Sequence, residues 1–181
     1  MNHLTRYACL GCLGIASFAQ NPQAAAEGTS AKEVSAADKK FAMTVAQTDL
    51  AEIQLGNMAL EKGTDPKVKE IAQKLVDDHT KTSNAMKDIA TKKGLPVPTE
   101  TDAKHKALAT KLEGESGKQF DKDFLDANSK DHHKVVQLFQ KESTDGKDPD
   151  IKQFATQFLP AIQEHTTMID QAKGQSGGGS Q

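Results

Sequence analysis

The chain has 181 residues, a formal net charge of −2, and a composition that is 36% apolar and 27% charged. This size and balance predict one globular domain with a single modest core. The near-neutral charge argues against nucleic-acid binding, which needs an excess of basic residues on one face. No apolar run approaches the length of a membrane span.

The N-terminal segment has the layout of a secretory signal peptide. A positively charged start precedes a short apolar stretch, and small-residue cleavage sites follow, after Ala19 and after Ala26. Cleavage after Ala26 fits better because the chain becomes polar there, so residues 1–26 are predicted to be removed on export to the periplasm or medium. Both cysteines, Cys9 and Cys12, would leave with this peptide, and the mature protein would have no thiol chemistry.

The remaining chain carries four long helical patterns, one short one and no alternating strand pattern. Their apolar residues recur every three or four positions, as in helices that bury one face. A flexible lead-in, residues 27–35, precedes a helical domain predicted over residues 36–173, and the Gly/Ser-rich residues 174–181 are predicted to form a disordered tail. The predicted helices cover approximately residues 35–62, 66–93, 102–112, 118–143 and 148–173.

The lengths of the connections predict the topology. Short turns containing Gly63 and Gly146 join the first long helix to the second and the third to the fourth, so each pair is antiparallel. The connection between the second and third long helices exceeds twenty residues, which is enough to travel the length of the bundle. The sequence therefore predicts an all-α, ferritin-like four-helix bundle with one long crossover between the second and third helices.

Four polar residues, one on each long helix, are predicted to meet in the core. His79 and His165 fall on the apolar seams of the second and fourth helices, whereas Glu52 and His132, with Asp131 beside it, lie next to inward-facing residues of the first and third. At a rise of about 1.5 Å per residue, His79 and His132 lie about 20 Å from the same end of the bundle. Counting from the two hairpin turns places Glu52 level with His79, and His165 level with His132.

A carboxylate and three imidazoles at one level support two interpretations. They can bind a single transition-metal ion, since imidazole with carboxylate suits zinc, iron or copper. They can instead form a buried hydrogen-bonded network that fixes the register of the helices. A di-iron site is not indicated, because it needs Glu-x-x-His on two helices and Val76 and Ile162 stand where those glutamates would be. No P-loop, dinucleotide-binding turn or nucleophile elbow is present, so the sequence does not indicate an enzyme.

The other two histidines beyond the signal peptide are predicted to face solvent. His105 lies in the crossover, and the side chain of His133 points about 100° away from that of its neighbour His132. Neither is predicted to take part in the site.

Short stretches occur in a characteristic order: Ala51-Glu52-Ile53-Gln54-Leu55-Gly56, Asp77-Asp78-His79-Thr80-Lys81, Phe120-Asp121, Asp131-His132, and Leu159-Pro160 with His165 five residues on. This order resembles the bacterial domain-of-unknown-function family 4142, whose members are often described as periplasmic or outer-membrane proteins. The resemblance implies a ferritin-like fold and export, and the family's characteristic polar positions correspond to Glu52, His79, His132 and His165. Because the family's biochemical role is undefined, the resemblance implies no activity.

Two functions follow from these interpretations. In the first, the protein is a periplasmic metal-binding or stress-associated bundle that uses the Glu/His cluster. In the second, it is a non-catalytic structural or interaction module that presents its helices to a protein partner in the cell envelope, and the cluster is a buried network.

Overall fold

The computed structural model describes residues 33–177, and the predicted signal peptide with its two cleavage sites lies outside them. Within the described range the chain is entirely helical, with five helices and no strand, which confirms the all-α prediction. No helix in this range is both long enough and apolar enough to cross a membrane. The helices are α1 (Ala36–Lys62), α2 (Pro66–Lys93), α3 (Ala103–Glu113), α4 (Gly117–Asp145) and α5 (Pro149–Gly177).

Local capping explains where the first two helices begin and end. The hydroxyl of Ser35 accepts a hydrogen bond from the amide of Asp38 at 3.2 Å, which satisfies one free amide of the first turn of α1. At the start of α2, Asp65 accepts from the amide of Lys67 at 2.8 Å, and proline occupies the first helical position. Gly94 ends α2 in the left-handed conformation, with φ of 63°.

The end of α5 differs from the prediction. The disordered tail was expected from Gly174, but the helix continues to Gly177. A glycine costs a helix only about 1 kcal/mol relative to alanine, which is too little to stop a helix that is already propagating. Between Gly174 and Gly177 there is no proline, and Gly174 is not in the left-handed conformation, so nothing in this stretch ends the helix.

The four long helices pack as two hairpins placed side by side. α1 packs along α2, and α4 packs along α5. α2 also contacts α5, and α1 contacts α4, while the short α3 lies against both α1 and α4. The connection that contains α3, residues 94–116, therefore lies over the seam between α1 and α4.

Each hairpin turn is capped by an aspartate from the other hairpin. Asp38 of α1 accepts hydrogen bonds from two backbone amides of the α4–α5 turn, and Asp121 of α4 accepts them from two amides of the α1–α2 turn. Both carboxylates are buried. The donors are the amides of Lys147 (3.2 Å) and Asp148 (2.9 Å) to Asp38, and of Thr64 (3.0 Å) and Asp65 (3.0 Å) to Asp121.

Two apolar clusters fill the core, and a polar layer separates them. Along every long helix, the residues of this polar layer fall between the residues of the two clusters. The cluster towards the α1–α2 turn includes Leu55, Ile71, Phe120, Phe124 and Ile169. The cluster towards the α4–α5 turn includes Phe41, Met86, Phe139, Phe154 and Ile162. The polar layer contains Asp49, Glu52, His79, Asn128, His132 and His165.

Candidate metal centre

Three of the four predicted site residues come together in the polar layer. One ring nitrogen from each of His79, His132 and His165 lies within 4.8 Å of the others. The ring centroids form a nearly equilateral triangle with sides of 5.7, 5.4 and 5.6 Å. Each side chain is only 1–2% exposed. We call these three residues the histidine triad.

Each imidazole of the triad is held through one ring nitrogen and free at the other. The held nitrogens donate to an oxygen of the same or a neighbouring helix, whereas the opposite nitrogens are buried and have no hydrogen-bond partner. The anchoring contacts are His79 Nδ1 to Asp49 Oδ1 (2.8 Å), His132 Nδ1 to the Asn128 carbonyl (3.0 Å) and His165 Nε2 to Asp78 Oδ2 (3.1 Å). The free nitrogens are His79 Nε2, His132 Nε2 and His165 Nδ1.

This pattern is the one that metal-ligating histidines have in proteins. A ligating imidazole donates its second ring N–H to a carboxylate or backbone carbonyl, which fixes both the tautomer and the ring orientation. A buried polar nitrogen without a partner costs about 1–3 kcal/mol, so three of them in one layer need an explanation. Three imidazole nitrogens suit zinc, copper, iron or nickel.

The protonation of the triad favours neutral ligands on two of its three members. Burial, together with the charge of His79, lowers the pKa of His132 well below its usual range and lowers that of His165 to about 4. Burial also acts to lower the pKa of His79, but the hydrogen bond and charge of Asp49 outweigh it, and the pKa of His79 is raised. Burial in turn raises the pKa of Asp49, so the two residues hold one proton between them.

The fourth predicted residue, Glu52, lies beside the triad rather than within it. Its Oε1 is 3.9 Å from Nδ1 of His132, which is the anchored nitrogen of that ring, and its Oε2 is buried with no hydrogen-bond partner. Burial raises the pKa of the Glu52 carboxyl to about 7.

The prediction for His105 was wrong, whereas the prediction for His133 holds. His105 is only 6% exposed, because α3 lies against α1 and α4 and carries this residue inward. Its Nδ1 is 3.0 Å from Asp102 Oδ1, and its Nε2 is 3.5 Å from Asp131 Oδ2. His133 has a side chain that is 60% exposed, and its Nε2 donates to Asp170 Oδ2 at 2.9 Å.

The anchors of the triad were absent from the sequence-based prediction, although two of them had a signal. Asp49 lies three residues before Glu52, which places both on one face of α1. Asp78 precedes His79 directly, but its carboxylate accepts a hydrogen bond from His165 across the interface between α2 and α5. The carbonyl of Asn128 gives no sequence signal, because every residue has one.

Comparison with known families agrees with the resemblance seen in the sequence. Residues 23–172 match the family described as "Domain of unknown function (DUF4142)". The chain belongs to this family. The match spans all four long helices up to Ala172 and includes every residue of the triad and its anchors. No functionally curated protein matches the chain.

Two solved structures share the fold at low sequence identity. The crystal structure of a DUF305 fragment from Deinococcus radiodurans superposes with a TM-score of 0.70 at 15% identity, over 78% of this chain and 98% of that one. A DUF305 protein from Streptomyces coelicolor, described as a candidate secreted protein, superposes with a TM-score of 0.66 at 15% identity, over 78% of this chain and 94% of that one.

Proposed function

We propose that this protein binds a single transition-metal ion through His79, His132 and His165. The observation that carries the proposal is the set of three buried ring nitrogens that lack hydrogen-bond partners, on imidazoles whose opposite nitrogens are anchored. A bound ion would give each free nitrogen a partner at about 2.0–2.1 Å, after a small inward movement of the rings. Glu52 is the nearest predicted carboxylate for a fourth ligand position.

The charges around the triad favour a divalent ion. Asp49 and Asp78 hydrogen bond directly to two of the three imidazoles, and Glu52 adds a third carboxylate beside the ring of His132. Three neutral imidazoles bring no negative charge of their own, so the carboxylates behind them compensate the charge of the ion. Zn²⁺, Cu²⁺ and Fe²⁺ all fit this donor set.

The alternative interpretation, a self-contained hydrogen-bonded network, has less support. The hydrogen bonds of the three imidazoles go to Asp49, Asp78 and a backbone carbonyl rather than to one another. A network that fixed helix register would be expected to satisfy its own members, because an unsatisfied network is less stable than an apolar core. The role of an interaction module for an envelope partner stays a prediction.

The proposed setting for this site is an exported ferritin-like bundle. Two antiparallel hairpins, a connection between α2 and α4 that carries α3, and the similarity to two DUF305 structures support this architecture. Export is supported by the N-terminal sequence and by the candidate secreted status of the Streptomyces coelicolor relative.

Titration calorimetry of the chelator-treated protein with Zn²⁺, Cu²⁺ and Fe²⁺ tests the proposal. We expect one site per chain that is lost in His132→Ala. This variant is the cleanest of the three because His132 hydrogen bonds to a backbone carbonyl, whereas removal of His79 or His165 would take a hydrogen-bond donor from Asp49 or Asp78. His133→Ala is the matched control, since it removes the adjacent exposed histidine and should bind as the parent does. An unchanged affinity in His132→Ala, or no binding of any of the three ions, would contradict the proposal.

A further inference from the structure

An ion bound at the triad needs a route through the protein. All three imidazoles are nearly inaccessible, with 1–2% of each residue exposed. A metal ion sheds its water in stages, so a route to such a site requires side chains that can replace the lost ligands along the way.

Glu52 connects the triad with a second group of polar residues beneath α3. Its Oε1 lies 3.9 Å from His132, and its Oε2 is buried without a hydrogen-bond partner. α3 runs beside α1, with Thr101 at the carbonyl of Gln47 and Leu112 at the amine of Lys62, so His105 lies at about the level of Glu52.

His105 is the next polar group outward. It is 6% exposed, and neither ring nitrogen makes a well-aligned hydrogen bond, although Asp102 and Asp131 lie 3.0 and 3.5 Å away. The nitrogens of this buried imidazole make only weak contacts with the carboxylates on either side. They are therefore available to bind a transition-metal cation.

Asp131 completes the path to solvent. It lines a surface groove of about 290 Å³ between α3 and α4. Its Oδ1 is held most closely by the amine of Lys104, whose side chain is 58% exposed, while the amine of Lys134 lies farther off at 3.4 Å. Lys104 therefore occupies the position that an incoming cation would take, and it must leave before an ion can bind Asp131.

The helix that covers this path, α3, is attached in a way that allows it to move away from α1 and α4. Gly94 and Gly117, with φ of 63° and 59°, bracket the connection that carries α3, and they are the two glycines with positive φ among the described residues. α3 buries Ala109 and Leu112 in the apolar cluster towards the α1–α2 turn, and polar contacts make up a second part of its attachment to the long helices. These contacts include Lys62 to the carbonyl of Leu112 at 3.1 Å and Thr101 to the carbonyl of Gln47 at 3.2 Å.

We propose that Glu52, His105 and Asp131 form a cation-transfer site beneath α3, through which the metal ion passes between solvent and the histidine triad. This inference rests on the proposed function, since it requires an ion at the triad. The opposite side of the bundle is less suited to transfer. There, the carboxylate of Asp78 anchors His165, so binding an ion at Asp78 would release a member of the triad.

Rates of metal exchange separate a transfer residue from a ligand. The probe is Co²⁺, whose visible absorption reports nitrogen coordination, mixed with the chelator-treated full chain in a stopped-flow instrument and later withdrawn with excess chelator. His105→Ala should slow uptake and release several-fold in the same proportion, leaving the dissociation constant unchanged. Lys104→Met, an exposed substitution that removes the competitor for Asp131, should accelerate both rates.

The controls distinguish failure of this inference from failure of the proposed function. His133→Ala should exchange Co²⁺ at the parent rates, and His132→Ala should not bind it. If the parent binds neither Co²⁺ nor any of Zn²⁺, Cu²⁺ and Fe²⁺, the proposed function fails. If the parent binds but both His105→Ala and Lys104→Met exchange at the parent rates, or if His105→Ala changes the dissociation constant, the transfer site is wrong.

Hydrogen exchange gives a test that needs no metal. Amides of α3 should exchange through an opening of lower free energy than amides at the centres of α1 and α4, because only α3 is expected to move. Equal protection of α3 and these helices would overturn the proposal.

Discussion

The α1–α2 and α4–α5 turns share a construction that repeats after 83 residues. Gly63 and Gly146 have similar backbone angles, φ −60° and ψ 143° against φ −49° and ψ 137°, and each donates its N–H at 2.9 Å to the carbonyl four residues earlier. The two aspartates that cap the turns, Asp38 and Asp121, are also separated by 83 residues. The repeated pairs are Asp38 with Asp121, Gly63 with Gly146, Asp65 with Asp148, and Pro66 with Pro149.

The histidines of the polar layer between the two turns do not follow this repeat. At the same spacing His79 corresponds to Ile162, His132 to Asp49, and His165 to Thr82. Both hairpins need the turn residues, but neither needs a histidine at these positions, because the other hairpin packs without one. We therefore expect the ends of the hairpins to serve stability and the histidine layer to serve the proposed ligand binding, and each of the following changes tests that division.

The largest loss of stability is expected from Asp121→Ala. The substitution removes the acceptor of two backbone amides and of the Thr64 hydroxyl, and leaves these donors in a partly buried turn. The free energy of unfolding should fall by about 3 kcal/mol, and Asp38→Ala should behave similarly. Urea denaturation measures this loss, with the half-exposed Asp126→Ala as control. A loss below about 1 kcal/mol would show that the turns do not depend on their caps.

Metal-dependent stabilisation should separate the two regions. At a free ion concentration one hundred times the dissociation constant, binding adds about 2.7 kcal/mol to the stability of the folded state. Asp121→Ala should retain this gain in thermal or urea denaturation, because the cap is remote from the triad, whereas His132→Ala should lose it. Loss of the gain in Asp121→Ala would mean that the ends and the layer are one coupled unit.

A smaller, pH-dependent effect distinguishes the two turns from each other. At the position where the α1–α2 hairpin has buried Ala59, the α4–α5 hairpin has Glu142. Burial and the charges of Asp38 and Asp148 raise the pKa of the Glu142 carboxyl to about 7. The folded state thus keeps a proton that the unfolded state releases near pH 4.5, and stability falls as the pH rises from 4.5 through 7.

Glu142→Gln should remove this loss. Relative to the parent, the variant should gain about 1–2 kcal/mol at pH 8 and much less at pH 5. Denaturation at the two pH values measures the difference, and comparing the variant with the parent cancels the contributions of other titrating groups. An equal gain at both pH values would point to a packing effect instead.

The smallest effect is expected from His133→Ala. Its side chain is 60% exposed and its one ion pair, with Asp170, lies at the surface, so stability should change by less than about 0.5 kcal/mol. Metal affinity should be unchanged. A substantial change in either measurement would extend the functional layer to the outer face of α4.

The helix ends could be predicted because they depend on residues that are close together in the sequence. Asp65 with Pro66 marks the start of α2, and Gly94 marks its end, because capping acts within one turn of helix. His79 and His165 could be placed together because their positions interrupt regular apolar seams. Equal distance from one bundle end then selected His132 as well.

Features that depend on tertiary contacts could not be read in the same way. The burial of His105 follows from where α3 lies against α1 and α4, and nothing in the residues around it fixes that placement. Glu52 was expected to be a metal ligand. Its position on the helix predicts the direction of its side chain, but not the distance between its carboxylate and the triad to within a few ångströms. The helix beyond Gly174 reflects the balance between a weak helix former and a helix that is already formed.

The reciprocal caps also bear on the order in which the protein folds. Asp38 and Asp148 are separated by 110 residues, so their contact can form only after both hairpins exist and have docked. We expect contacts made that late to be absent from the folding transition state, so that their loss raises the unfolding rate and leaves the folding rate almost unchanged. We therefore expect Asp38 and Asp121 to slow the separation of the two docked hairpins. They should set the lifetime of the folded state more than the rate of folding.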